Sequence, residues 1–307
     1  MMMVGFFLTF SISAVICYAA TRFSLNGRLY DEPGGRKKHT HPVPHVGGIA
    51  IASALFMTLL IYRLNWPLFI YGLGFLALGA IDDLRKLSYW IKLLVQVLLA
   101  SLYVIPSDLT LTFFGTPLTN TLGRVLTVIW IVAVVNGFNF IDGINGLAGS
   151  VGLVASIFLW VTTNSVWFLY LSGALLGFLL FNFKRGKVFL GDAGSYLLGF
   201  LIAVSSLSIS SFELAKATVF MGYPAYETTF VVFRRLFRGI SPFHADRLHT
   251  HYTLEDSGFS PEKVVVLLAA YSAFCNLVSF LQSGWAFILY LAISLVLLFF
   301  VVSKSRS

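Results

Sequence analysis

The stretch VLTVIWIVAVVNGFNFIDGINGLAGSVGLVASIFLW, residues 125–160, decides the fold. Two apolar runs flank NGFNFIDGINGLAG, residues 136–149, which holds three Asn, one Asp and four Gly but no Lys or Arg. Polar side chains cost free energy in an apolar setting unless something satisfies them. The rest of the 307-residue chain repeats the pattern, with 58% hydrophobic, 16% aromatic and only 11% charged residues. A soluble domain would carry about 25% charged residues. The apolar residues fall in runs of roughly 17–22, the length that crosses the hydrocarbon core as a helix.

The expected fold class is therefore an all-α polytopic membrane protein of about eleven transmembrane helices, forming one domain over residues 1–307. The predicted spans are 3–21, 46–62, 67–81, 89–105, 121–137, 145–162, 165–182, 195–211, 214–235, 263–281 and 284–302. Residues 1–21 lack a basic leading region and a small-residue cleavage site, so they read as a span and not as a cleaved signal. Residues 107–118 alternate weakly around Gly115 and Pro117 and predict a short extracytoplasmic β-hairpin. Pro224 should kink or break the ninth span. Cys17 and Cys275 lie inside apolar spans and suggest neither a disulfide nor a metal site.

Eighteen of the 21 Lys and Arg fall on one side of this topology, the exceptions being Arg63, Arg124 and Lys216. That asymmetry puts the basic side in the cytoplasm, with the N-terminus outside and the C-terminus inside. It also explains the net charge of +8 without nucleic acid. All six His and most Asp collect on the same side. The orientation rule does not require this of His and Asp, so it points to catalytic loops on the cytoplasmic face.

Several constellations lie there. Asp82 and Asp83 close the third span, and adjacent carboxylates at a membrane boundary need a cation or a proton. Lys92 follows at the start of span four. Asp192 stands in VFLGDAGSYLLGF, residues 188–200, beside a helix start near Gly194 and Ser195 whose free N–H groups favour an anion. Asp192 either caps that helix or holds Mg²⁺, which binds through one or two carboxylates plus substrate phosphate. Asn136, Asn139 and Asp142 are spaced by three and share a helix face, offering hard oxygen ligands or interhelical polar contacts. Gly143, Gly146 and Gly149 follow as a strip for close helix packing. SPFHADRLHTHYTLEDSG, residues 241–258, contributes Arg247, His249 and His251, which suit phosphate better than zinc, since no four-ligand spacing is evident. The loop 31–48 adds His39 among basic residues. Glu227 is an intramembrane carboxylate and so a functional suspect.

DEPGGRKKHTHPVPHVGGIAI, GAIDDLRKL, NGFNFIDGINGLAG, VFLGDAGSYLLGF and SPFHADRLHTHYTL occur in this order between about residues 28 and 265. Together they resemble the polyprenyl-phosphate N-acetylhexosamine-1-phosphate transferases. Each motif alone is weak; five in order on one membrane face are specific. The resemblance implies that a UDP-N-acetylhexosamine and undecaprenyl phosphate give the lipid diphosphate sugar and UMP in a bacterial inner membrane. It implies Mg²⁺, or Mn²⁺ in its place, with Asp192 as the main ligand and Asn139 as the second. Asp82 and Asp83 match the paired acids thought to orient or deprotonate the lipid phosphate, and Lys92 a phosphate-contacting lysine. Arg247, His249 and His251 match a loop that grips the nucleotide sugar. Asn136 and Asp142 support metal or nucleotide, and a homodimer fits the pattern.

The lipid phosphate is already largely ionised at neutral pH, its second pKa being about 6. It needs charge neutralisation and alignment, which favours direct displacement over a covalent intermediate on Asp82 or Asp83. Asn145 and Tyr252 depart from positions that are often Asp and His in the family. ADR before the His loop and FNFIDGING resemble the O-antigen and teichoic-acid branch, which implies a donor carrying GlcNAc or a related deoxy-aminosugar such as QuiNAc or FucNAc, with a MurNAc-pentapeptide translocase as the alternative. A lipid or ion transporter is the rival class; it would spread polar residues along the membrane midplane.

Overall fold

The computed structural model describes residues 1–23, 30–31, 41–62, 67–107, 111–184, 186–211, 213–239, 241 and 249–304. In chain order the helices are α1 (Met2–Arg22), α2 (Gly47–Tyr62), α3 (Pro67–Arg85), α4 (Tyr89–Val104), α5 (Asn120–Ile141), α6 (Leu147–Thr163) and α7 (Val166–Asn182). They continue as α8 (Gly191–Ile209), α9 (Leu214–Met221), α10 (Tyr223–Phe237), α11 (Thr250–Asp256), α12 (Pro261–Val278) and α13 (Ser283–Lys304). Two antiparallel pairs of two-residue strands join β1 (Tyr30–Asp31) to β2 (Val43–Pro44) and β3 (Thr112–Phe113) to β4 (Thr116–Pro117).

Six helices, α1, α3, α5, α8, α12 and α13, are long and apolar enough to cross a membrane. Four shorter apolar helices, α2, α4, α6 and α7, stand beside them. The chain is an all-helical, multi-pass membrane protein.

At its centre lies α8, buried from Gly191 to Leu207 except at Asp192 and packed against α2, α3, α5, α6 and α9. Small residues permit this. A Cβ on Gly194 would collide with the side chain of Leu190 and sit 2.9 Å from the Gly48 Cα on α2. Gly194→Val should therefore separate α2 from α8, costing about 1–3 kcal/mol in overpacking. The check is a clearly lowered melting temperature of the detergent-solubilised protein.

Three helices run further than hydropathy predicts. The third reaches Arg85, the fifth reaches Ile141, and the eighth starts at Gly191 instead of residue 195. Each extension carries a polar residue that tertiary hydrogen bonds satisfy, so the helix does not end at the first charge. The ninth segment breaks at Gly222, two residues before Pro224. Gly222 adopts φ +47°, ψ −110°, and a Cβ there would press on Ser272 and Cys275 of α12. Pro224 falls in the first turn of α10, where no intrahelical N–H bond is lost. The break thus belongs to the glycine, and the proline starts the next helix.

Candidate active site

α3 ends in the paired acids. Asp82, 1% exposed, accepts the Leu87 N–H through Oδ1 at 2.7 Å and the Lys92 ammonium through Oδ2 at 2.8 Å. Lys92 stands in the first turn of α4. Tyr196 Oη reaches the same Asp82 Oδ2 at 3.5 Å.

Asp83 turns the other way. Its Oδ1 accepts the Asp192 N–H at 3.0 Å, and its Oδ2 accepts the Ala193 N–H at 3.2 Å. His45 Nδ1 lies 3.2 Å from Asp83 Oδ1. The anion expected at the α8 N-terminus is therefore the chain's own carboxylate, held by the free N–H groups and the helix dipole. Gly194 and Ser195, expected as substrate contacts, lie behind that carboxylate. Gly194 is buried against α2, and Ser195, fully buried, turns its hydroxyl to the Asp192 carbonyl at 3.2 Å.

Asp192 itself lies in the first turn of α8, and its Oδ1 accepts the Asn139 amide at 2.6 Å. Asn139 also donates to Ser195 Oγ at 3.3 Å. Asn136, one turn earlier on α5, donates to Gln96 Oε1 on α4 at 2.7 Å and to the Val132 carbonyl at 2.8 Å. Asp142 ends α5 as its C-cap residue. Burial, then the neighbouring carboxylates of Asp192 and Asp83, hold the Asp142 carboxyl well above the usual carboxylate range.

Asp83, Asp142 and Asp192 thus crowd together with the Asn139 amide among them, while Asp82 beside them is offset by Lys92. Such crowding is what a divalent cation relieves, and the donors are the hard oxygens that Mg²⁺ selects. The residues present fit that ion.

The His loop approaches from α10. His249 Nδ1 lies 3.1 Å from Glu227 Oε1, which also accepts the Thr250 N–H at 3.0 Å. His251 Nδ1 lies 3.2 Å from the Tyr223 hydroxyl. The ligand atoms of Glu227, His249 and His251 all fall within 4.8 Å of one another. Tyr252 donates to the Gly143 carbonyl at 3.0 Å. A Cβ on Gly143 would collide with His251 Nε2, so this glycine seats the His loop, whereas Gly149 packs on α7 as the helix-packing strip predicts. His39 and Arg247 lie outside the described residues.

One cavity of about 950 Å³ opens between α4, α5 and α10. Lys92, Asn136, Asn139, Arg235, His249 and Tyr252 line its polar end. From there Val97, Val104, Val128, Ile129 and Val132 continue an apolar wall to Arg124. From Phe140 to Arg124 the cavity follows α5 for ~24 Å, most of the thickness of the hydrocarbon core.

Sequence reasoning missed Arg235, Gln96 and Asn182. Arg235 is 2% exposed, and its guanidinium carbon lies 5.6 Å from the Phe140 ring centroid. Asn182 joins the loop ends, accepting the Gly146 N–H at 2.6 Å and donating to the Val188 carbonyl at 2.9 Å. Arg235 sits in a run of basic residues at the end of an apolar segment, which reads first as an orientation signal.

A polar end lined by Lys92, Arg235 and two amides, with carboxylates hydrogen-bonded behind it, on a long apolar groove defines a class of site: one suited to a charged headgroup on an apolar chain. The comparisons narrow the class. The model of glycosyl transferase family 4 matches residues 65–210. An undecaprenyl-phosphate α-N-acetylglucosaminyl 1-phosphate transferase of Thermotoga maritima is 34% identical over 296 residues, 96% of this chain and 94% of its own. A probable undecaprenyl-phosphate N-acetylglucosaminyl 1-phosphate transferase of Bacillus subtilis is 29% identical over 86% of this chain and 80% of its own. The undecaprenyl-phosphate α-N-acetylglucosaminyl 1-phosphate transferase of Salmonella typhi is 30% identical over 86% and 79%. The chain belongs to glycosyl transferase family 4.

Proposed function

We propose that this protein transfers GlcNAc-1-phosphate from UDP-GlcNAc to undecaprenyl phosphate, releasing UMP, as the names of its relatives describe for those proteins. The observation that carries the reading is the cavity: its polar end is lined by Lys92 and Asn139, which pair with Asp82 and Asp192, and its apolar wall runs along α5. A polyprenyl chain lies along Val128, Ile129 and Val132, and its phosphate meets Lys92 and Arg235. On this reading the chain crosses the membrane eleven times, counting the broken α9–α10 segment once, with this end of the groove in the cytoplasm and the β3–β4 hairpin outside; the excess of Lys and Arg on the cytoplasmic side supports it.

Asp192, with Asn139 and Asp142 beside it, would hold Mg²⁺. When bound, the ion supplies charge neutralisation for the diphosphate of the donor. The protein groups do the rest. Lys92 and Arg235 hold the acceptor phosphate against the repulsion of the nearby acids. His249 and Tyr252 face the cavity from the opposite wall, where the nucleotide sugar enters.

The hydrogen bonds favour direct displacement. Asp82 accepts from Lys92 and Leu87, and Asp83 from two N–H groups of α8, with His45 3.2 Å from its Oδ1. Carboxylates engaged at both oxygens are poor nucleophiles. The lipid phosphate, ionised at neutral pH, attacks without them.

The test is UMP release from UDP-GlcNAc by the purified protein in detergent with undecaprenyl phosphate. Release should need both substrates, stop with EDTA and return with Mg²⁺. No release across a panel of UDP-sugars would overturn the reading. The groove has its own check. Val132→Trp should raise KM for the polyprenyl phosphate about 10-fold while leaving KM for the nucleotide sugar near wild type, since one blocked contact is worth ~1–3 kcal/mol.

A further inference from the structure

Glu227 lies in α10 with no exposed surface. A buried carboxylate in a membrane protein is costly, so its partners should show what it is for. Its Oε1 accepts the Thr250 N–H, which begins α11, and stands 3.1 Å from His249 Nδ1. Its Oε2 is buried with no hydrogen-bond partner among the described residues. One turn earlier, Tyr223 reaches His251 Nδ1 with its hydroxyl. Both histidine rings are therefore tied to α10 through Nδ1. The rings lie nearly parallel, 24° apart with centroids at 5.3 Å, and His249 lines the substrate cavity.

An ionised carboxylate only accepts, so with Glu227 charged His249 Nδ1 carries the proton in that bond. Nε2 is then the nitrogen left for the cavity. We propose that Glu227 is a positioning residue: it anchors the start of α11 and fixes His249 with Nδ1 held inward and Nε2 offered to the nucleotide-sugar end of the cavity. The proposal rests on the transferase reading. It adds that the intramembrane carboxylate acts through His249 and touches no substrate.

The experiment separates the two nitrogens. His249→Asn keeps a donor where Nδ1 stands and deletes Nε2; it should melt like wild type and lose about 10–100-fold in turnover. His249→Gln places a donor near Nε2 and gives up the Nδ1 bond; it should keep more turnover and melt lower. Glu227→Gln retains one acceptor oxygen and Glu227→Leu none, so their losses should be graded. Each should fall on kcat/KM for UDP-GlcNAc, with KM for the lipid little changed. Combined with His249→Asn, either Glu227 substitution should add almost nothing, because the group it positions is already gone.

Full turnover in His249→Asn, or losses that multiply in the double variants, would overturn the proposal. So would one equivalent of zinc in the purified wild-type protein that Glu227→Gln loses, since the cluster would then be a metal site. The His249 pair decides the matter even if the Glu227 variants do not fold. Failure of the transferase reading looks different: wild type itself releases no UMP.

Discussion

Asp192→Asn is expected to lower turnover by about 10³-fold or more while the protein stays folded and melts no lower than wild type. The two halves of this result have one cause. Asp192 shares a confined space with other carboxylates: Asp83 sits on the N–H groups of its own turn, and Asp142 ends α5 nearby. The Asn139 amide is its direct hydrogen-bond partner at 2.6 Å, and an Asn at 192 can still accept that bond. Removing one negative charge therefore relieves repulsion and breaks little. A carboxylate kept for structure would behave in the opposite way, because its loss would strand the donors paired to it. A second readout needs no substrate. Mg²⁺ should raise the melting temperature of wild type by mass action and leave that of Asp192→Asn unchanged. Wild-type turnover in the variant, or an equal Mg²⁺ shift in both, would remove Asp192 from the metal site.

Asp83→Ala should give the contrasting pattern. Its carboxylate caps the N–H groups of Asp192 and Ala193, so its loss should cost about 1–2 kcal/mol of stability. Turnover should fall because the first turn of α8, with Asp192 in it, is no longer held. Thermal melting beside initial rates distinguishes the two acids: one variant is stable and inactive, the other both weaker and slower.

Much of this was legible in the sequence because the relevant signals are local. Apolar runs mark the helices one by one, and oxygen donors interrupting them on one face mark the site. That is how Asp82, Asp83, Asn139 and Asp192 could be grouped before any coordinates. What hydropathy could not supply was how far each helix continues once polar side chains find partners elsewhere. Asp192 reads as lying beside a helix start and lies within the first turn; Asn139 shares the expected helix face, but the fifth span reaches past 137 to include it. Gly194 and Ser195 looked like an open anion cradle because nothing in their neighbourhood announces that Asp83, 109 positions before Asp192, fills it. Glu227 and His249 are 22 positions apart, and Gln96 and Asn136 are 40 apart. Such pairs are made by helix packing, and no periodicity encodes them. The resemblance to a family carried the residues whose spacing is short and stayed silent on Arg235, which looks like one more basic residue at a membrane edge.

Lys92→Met should damage both stability and turnover, in two separable parts. Lys92 pairs with the buried Asp82 at 2.8 Å, the lysine side chain being 25% exposed and the aspartate 2%. Without the ammonium, Asp82 keeps the Leu87 N–H, the long Tyr196 contact and its side-chain contact with Asp192, but no cation. Stranding that charge should cost about 2 kcal/mol, less than the loss for a fully buried pair because Lys92 is partly in water. The second part is functional. Lys92 also lines the cavity, so a phosphate approaching the groove end loses a neutralising charge and meets uncompensated carboxylates instead. Turnover should drop about 10²-fold or more. Asp82→Asn added to Lys92→Met should return most of the stability, since no unpaired charge remains. It should not return the activity, because the cation that faced the phosphate is still missing. If the double variant recovers both, Lys92 serves only to neutralise Asp82. If it recovers neither, the stability loss comes from packing of the lysine stem and not from the ion pair.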